Sequence, residues 1–286
     1  MSFLFPIVAA ILQTVSFTLD KIVLSVKQVG FQTYIGVSFP FSFFVNLALF
    51  FIFHPLFPEG WFEGYYGLLL LGGIGISFLT NILFYRALDH DKLGEIETLS
   101  LLNAVPVIVV SSIVFADERN FAITLPALVA SVAVVWSHWE RHHIKIARDT
   151  LPYLCWSLAI TPVSALISKE LLTVWNPIAL EMVRTGALAA LFLFMFRDAI
   201  TKIPVQALRL LIITNVLTTV ALVLFYFGYQ RLGIVHTLLL FSLQPFLVYL
   251  ASIFILKERP SWKRSVAFAV VLVSIAIAEL LGSRIV

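Results

Sequence analysis

Apolar residues run through this chain in stretches of about twenty, and short polar breaks separate them. Ten windows have this character: 3–26, 31–53, 65–86, 94–115, 121–139, 151–170, 177–197, 205–229, 233–256 and 262–281. A helix needs roughly 20 mostly apolar residues to cross a bilayer, so each window predicts one spanning helix. The breaks carry turn and charge signals: His54-Pro55, Pro58-Glu59-Gly60, Asp89-His90-Asp91-Lys92, Asp117-Glu118-Arg119, Asn176-Pro177, Lys202-Ile203-Pro204 and Lys257-Glu258-Arg259-Pro260. None is long enough for a soluble domain. Runs such as Leu68-Leu69-Leu70-Leu71 lack the in–out alternation of a membrane β-barrel. The expected fold class is an all-α membrane protein of ten transmembrane helices.

The pattern also repeats. The stretch from Phe84-Tyr85 reads LFYRALDHDKLGEIETLSLLNAVPVIVV, and that from Phe225-Tyr226 reads LFYFGYQRLGIVHTLLLFSLQPFLVY. Leu93-Gly94 matches Leu232-Gly233, Thr98 matches Thr237, Pro106 matches Pro245, and Glu118-Arg119 and Glu258-Arg259 close the two segments. Residues 1–145 and 146–286 therefore form two five-helix repeats. Five is odd, so the second repeat is inverted relative to the first, an arrangement used by transporters.

Composition sharpens this reading. Of 286 residues, 60% are hydrophobic, 12% are charged and 26 are Phe. Soluble domains average about 45–50% apolar and about 25% charged. The balance excludes a soluble enzyme, a disordered tail and a nucleic-acid binder. The single cysteine, Cys155, excludes an intrachain disulfide and a cysteine metal cluster. The start, MSFLFPIV, lacks a basic segment and runs on too long for a cleaved leader, so it reads as the first span. No phosphate-loop, G-x-S-x-G or H-E-x-x-H pattern occurs. No cofactor is expected.

Tyr85 to Arg119, and again Tyr226 to Arg259, follow one motif: an aromatic start, a short loop, Gly, a long apolar run with Pro, then Glu-Arg. With the ten spans and the five-plus-five repeat, the whole chain resembles the EamA-type branch of the drug/metabolite transporter superfamily. Arg184 in PIALEMVRTGALAALFLF looks like the arginine often found in the family's seventh helix. Gln13 stands where members often carry a Trp-Gly pair ahead of the lysine that ends helix one, here Lys21. The resemblance implies secondary transport of amino acids or related small metabolites, with efflux as the direction, and a plasma-membrane location.

Polar residues inside spans are costly unless they face protein or water. Asn215, Thr219, Tyr226 and Tyr229 share one helical face. So do Gly73, Ser77 and Asn81; Gln13, Ser16 and Asp20; and Ser157, Thr161, Ser164 and Ser168. Span four offers Glu97, Ser100, Asn103 and Ser111. Converging, these stripes predict a substrate pocket at Gln13, Ser77, Asn81, Asn103, Pro106, Asn215, Thr219, Tyr226, Gln244 and Pro245, although interhelical hydrogen bonds use the same residue types. Pro106 and Pro245 stand near the centres of spans four and nine and predict broken helices.

Glu181 and Arg184, three apart, read as a mutually neutralising pair. Glu97 matches His236 in the repeat. Both titrate, and they would face opposite sides, which makes them the candidate proton-coupling groups. HWERHH, from His138 to His143, reads as an interfacial belt rather than a metal site. Gly72-Gly73-Ile74-Gly75 reads as close helix packing.

Orientation signals conflict. Odd-numbered loops and their helix ends hold Lys21, Lys27, Arg86, Lys92, Arg141, Lys145, Arg148, Arg197, Lys202, Arg209, Lys257, Arg259, Lys263 and Arg264. The opposite side holds Arg119, Lys169, Arg231 and Arg284. This puts both termini outside, whereas the resemblance implies termini in the cytoplasm. Rival functions are a sugar-phosphate or nucleotide-sugar exchanger, which would need more cations inside spans, and an intramembrane enzyme or lipid-handling scaffold. The expected partners are a small-molecule substrate and the bilayer, with no nucleic acid and a monomer or homodimer as the assembly.

Overall fold

The computed structural model describes residues 2–26, 29–90, 103–138, 150–244, 246–248, 250–251 and 262–282. Ten α-helices lie among these residues: α1 (Leu4–Leu24), α2 (Phe31–Phe53), α3 (Gly64–His90), α4 (Ala104–Val114), α5 (Phe121–His138), α6 (Leu151–Leu171), α7 (Pro177–Phe196), α8 (Val205–Leu232), α9 (Ile234–Phe241) and α10 (Trp262–Gly282). Each coincides with one of the ten apolar windows, α3 and α8 running three to four residues past the end of theirs. Six of them, α1, α2, α3, α6, α7 and α8, are long and apolar enough to cross a membrane; the apolar runs of the other four are shorter among the described residues.

Local chemistry sets the helix ends. Asn176 caps α7, its Oδ1 accepting the Ile178 N–H at 2.9 Å, and Pro177 follows in the first turn, where a missing N–H is no loss. At the other end of the second half, α8 stops at Gly233, whose φ of +83° suits a residue without a Cβ. Outward faces carry large apolar groups, with Phe194 81% exposed. Such a surface suits lipid.

Helices pair across the midpoint of the chain. α1 packs along α8, α2 along α7, α3 along α6, α5 along α10 and α4 against α9. Exchanging the halves (α1 for α6, α2 for α7, and so on) maps these pairings onto themselves. Three apolar clusters hold the bundle. One joins α1, α2, α3, α7 and α8 through Tyr34, Leu88, Phe192 and Leu211. A second surrounds Trp175 and Leu180. A third, with Ile108, Leu239 and Val271, seats α4, α5, α9 and α10 together. Of the GGIG stretch, Gly73 meets a neighbour: a Cβ there would touch Ile167 of α6 at 3.4 Å. Gly72 and Gly75 have open space where a Cβ would stand, so the expected close packing is met at Gly73 alone.

The proline expectation is corrected in its details. Among the described residues the helix of span four begins at Ala104, after Asn103, and α9 ends at Phe241, with Ser242 and Leu243 in a turn. Pro106 therefore stands in the first turn of α4, rather than at a helix centre, and there it displaces no helical hydrogen bond. Pro245 lies outside the described residues, as do Glu97, Ser100, Trp139, Glu140, Arg141, His142 and His143.

Candidate functional site

A cavity of about 460 Å³ opens inside the bundle, with walls from α1, α2, α3, α4, α6, α7, α8 and α9. Two apolar clusters border it, through Tyr85, Tyr153 and Leu188 on one side and Val107, Ala165, Tyr226 and Tyr229 on the other. Gln13, Ser77, Asn81, Asn103, Asn215, Thr219, Tyr226 and Gln244 all line it. Pro106 does not, although its neighbours Asn103, Ala104 and Val107 do. The turn residues Asn103 and Ser242, matched in the repeat, both reach the wall.

Helix α7 supplies the charged part of the wall. Arg184 and Glu181, one helical turn apart, form an ion pair at 3.1 Å. Arg184 also donates through Nη2 to Ser77 Oγ at 2.7 Å and through Nη1 to the Tyr226 hydroxyl. Its guanidinium lies over the Tyr226 ring, 5.4 Å from the centroid. One side chain thus ties α3, α7 and α8 together at the cavity wall. The expected neutralising pair exists, and it also faces the cavity.

A second node sits on α8. Asn215 Oδ1 accepts from Ser38 Oγ at 2.7 Å and Ser42 Oγ at 2.6 Å, and Nδ2 donates to the Leu211 carbonyl at 2.7 Å. Asn46, one turn beyond Ser42 on the same face of α2, donates to Thr185 Oγ1 at 3.1 Å. The α2 stripe of Ser38, Ser42 and Asn46 lines the cavity and was not among the expected site residues. Its signal was present as i, i+4, i+8 spacing, inside a helix where phenylalanines dominate.

Several lining residues retain unused hydrogen-bonding capacity. Asn46 Oδ1, Asn103 Oδ1, Thr219 Oγ1 and Arg184 Nε are buried and have no partner among the described residues. Buried polar atoms are usually satisfied, and all four belong to residues of the cavity lining.

Of the remaining candidates, Thr161, Ser164, Ser168 and Tyr229 also line the cavity, whereas Ser16, Asp20, Ser157, Ser111 and His236 do not. Ser16 and Asp20 turn towards α8. Ser157 donates to the Leu154 carbonyl at 3.0 Å. Ser111 is buried in α4 away from the lining. His236 occupies the first turn of α9, half-buried and outside the lining. No group of three or more His, Cys, Asp or Glu suited to a metal ion occurs among the described residues.

Comparisons with known proteins agree with this architecture. Residues 151–280 match the model of the EamA-like transporter family. That span contains Glu181, Arg184, Asn215, Thr219, Tyr226 and Gln244. No curated protein matches the chain significantly. One solved protein crystal structure superposes with a TM-score of 0.74 at 18% sequence identity, covering 99% of this chain and 98% of that chain. The likeness establishes a shared fold over the full length.

Proposed function

We infer, from the premise that this chain is a transporter-like multi-pass membrane protein carrying an EamA-like segment at residues 151–280, that it moves small zwitterionic metabolites such as amino acids across the bilayer by alternating access. The observation that carries this reading is the charged node on the cavity wall: Arg184, paired with Glu181 and bonded to Ser77 and Tyr226, in a lining that also holds Asn46, Asn103 and Thr219. A substrate carboxylate suits the arginine, and a substrate ammonium suits the amide and hydroxyl oxygens. The aromatic walls, including Phe84, Tyr85, Phe225 and Phe241, suit an apolar side chain.

Ten spans in two inverted repeats, residues 1–145 and 146–286, are part of the proposal. The helix pairing that survives exchange of the halves supports it. Alternating access follows from such pseudo-symmetry, because the two halves can trade packings. Glu97 and His236, matched in the repeat, are proposed to titrate at gates on opposite faces; His236 stands off the lining, so its part is not substrate contact. Efflux, a plasma-membrane location and a catalytically inactive chain complete the reading. The charge count favours cytoplasmic odd-numbered loops.

A phosphate-bearing substrate is less well matched. Arg184 is the one Lys or Arg among the described lining residues, and Glu181 already pairs with it. The test is counterflow in liposomes holding the purified chain, with labelled amino acids set against sugar phosphates and nucleotide sugars. Amino-acid counterflow is expected. Exchange of the phosphates alone, or of none by folded protein, overturns the reading.

A further inference from the structure

Asp20 is the buried carboxyl that the transport reading leaves without a task. It stands one turn from the end of α1 and is 1% exposed. Its Oδ1 accepts from the Tyr34 hydroxyl of α2 at 2.6 Å and from Thr214 Oγ1 of α8 at 2.5 Å. Its Oδ2 is buried with no partner among the described residues. Its bonding partners there are two hydroxyls and no cation. An acid held this way inside a bundle is costly to keep unless it is used.

The hydroxyls around it form a line to the cavity. Thr214 Oγ1 lies 2.7 Å from Ser16 Oγ. Ser16 Oγ in turn contacts Thr218 Oγ1, and Thr218 is a lining residue. Each hydroxyl can donate and accept at once. Each of the first two also has a second acceptor across the seam: Ser16 Oγ reaches the Thr214 carbonyl at 3.2 Å and Thr214 Oγ1 the Ser16 carbonyl at 3.1 Å. Their hydrogens can therefore swing away and return, which a proton relay requires between transfers.

We propose that Asp20 is a proton-binding site that exchanges with the cavity through Thr218, Ser16 and Thr214. A hydronium ion in the cavity gives its proton to Thr218 Oγ1 as that hydroxyl passes its own to Ser16 Oγ. Ser16 passes its proton to Thr214 Oγ1, and Thr214 passes its own to Asp20 Oδ1. One O–H bond is made and one broken at each hydroxyl. The carboxyl gains a proton, a water molecule is left in the cavity, and no electron is transferred. Tyr34 keeps its donated bond and fixes the carboxyl orientation.

The other groups facing Asp20 leave this route intact. Tyr85 of α3 packs against Tyr34 with tilted rings, centroids 4.7 Å apart, and itself lines the cavity. Lys21, next along α1, donates to the Leu88 carbonyl at 2.6 Å. α8 faces Asp20 with the Thr214 hydroxyl, and its Arg209, a turn earlier, is exposed. His236 of α9 adjoins Thr237, which sits at the level of Pro6 by way of Gly228; fourteen residues of α1 put that about 21 Å along the axis from Asp20.

The test needs no substrate, so its failure leaves the transport reading standing. Full-length protein in lipid nanodiscs is given a proton pulse from a photolysed caged acid, and infrared absorption follows the C=O stretch of protonated carboxyl groups. A band present in the unaltered protein and absent from Asp20→Asn is expected, with Asp20→Glu shifting it. Ser16→Ala and Thr214→Val should keep the amplitude but slow its rise by about tenfold or more, the scale of losing a positioned proton-transfer group. Identical spectra with and without Asp20, or an unslowed rise in both relay variants, overturns the proposal. If Asp20→Asn does not fold, an unshifted band in Asp20→Glu is equally decisive against it.

Discussion

The Glu118 carboxylate accepts the backbone N–H groups of Ile234 at 2.6 Å and Val235 at 3.0 Å, across more than a hundred residues of chain. An acid from the first half thus caps a helix of the second. Lys169 of α6 completes the clasp, with Nζ 2.5 Å from Glu118 Oε1 and 2.6 Å from Asp117 Oδ2. Glu118 is 5% exposed, so solvent cannot substitute for it. Glu118→Ala orphans two amides and a lysine and should cost about 2–3 kcal/mol. Thermal unfolding in detergent should register it, with Glu118→Gln intermediate.

Gly233 is bound to the same clasp. Its φ is +83°, and a Cβ there would lie 2.6 Å from Glu118 Oε1. Gly233→Ala should destabilise by about 1–3 kcal/mol from backbone strain, plus the collision. Since the collision needs the carboxylate, the double variant with Glu118→Ala should lose less than the two single losses summed. Strict additivity of melting free energies would contradict this.

Arg184→Lys retains a charge for Glu181 but cannot reach Ser77 and Tyr226 together, because an ammonium lacks the planar fork. Counterflow should fall by about tenfold, a loss near 1.4 kcal/mol. The melting temperature should move far less than for Glu118→Ala. A variant that melts early but transports normally would make Arg184 a purely structural tie.

Ser164 faces the cavity from α6. Ser164→Phe should fill part of the roughly 460 Å³ space and stop transport with little loss of stability. Retained counterflow in well-folded protein would show that substrate passes elsewhere.

Proton coupling can be divided by position. Under an imposed pH gradient, Asp20→Asn should abolish gradient-driven accumulation while leaving counterflow. Glu97→Gln and His236→Gln should each blunt the response from one side only. Accumulation that is unchanged in Asp20→Asn separates its proton site from the transport cycle.

The windows of apolar residues were enough to locate the ten helices found among the described residues, because hydrocarbon tolerates few alternatives. Site residues were less legible. Asn215 and Thr219 stood out as polar groups in span eight, and both line the cavity. Ser38, Ser42 and Asn46 did not, since α2 is apolar overall and small hydroxyls serve packing as readily as binding. Glu181 and Arg184 announced a pair from spacing, yet which way the pair faces depends on how α7 turns against α2 and α3. Pro106 was legible as a break in the neighbourhood, but the residues reaching the cavity are Asn103, Ala104 and Val107, while the proline stands in the first turn of α4 on another face.

The seam between α1 and α8 has a mechanical consequence. It is joined chiefly by hydroxyls, and a hydroxyl that loses its partner is not stranded. Thr14 and Thr18 already bond carbonyls four residues back on their own helix, at 2.7 and 2.9 Å. Such a contact can slip by a fraction of a turn with little change in the number of bonds. The Asn215–Ser38–Ser42 node and the Glu118 clasp offer no such substitutes. Shear along α1 would therefore keep more of its hydrogen bonds than movement at either of those two nodes.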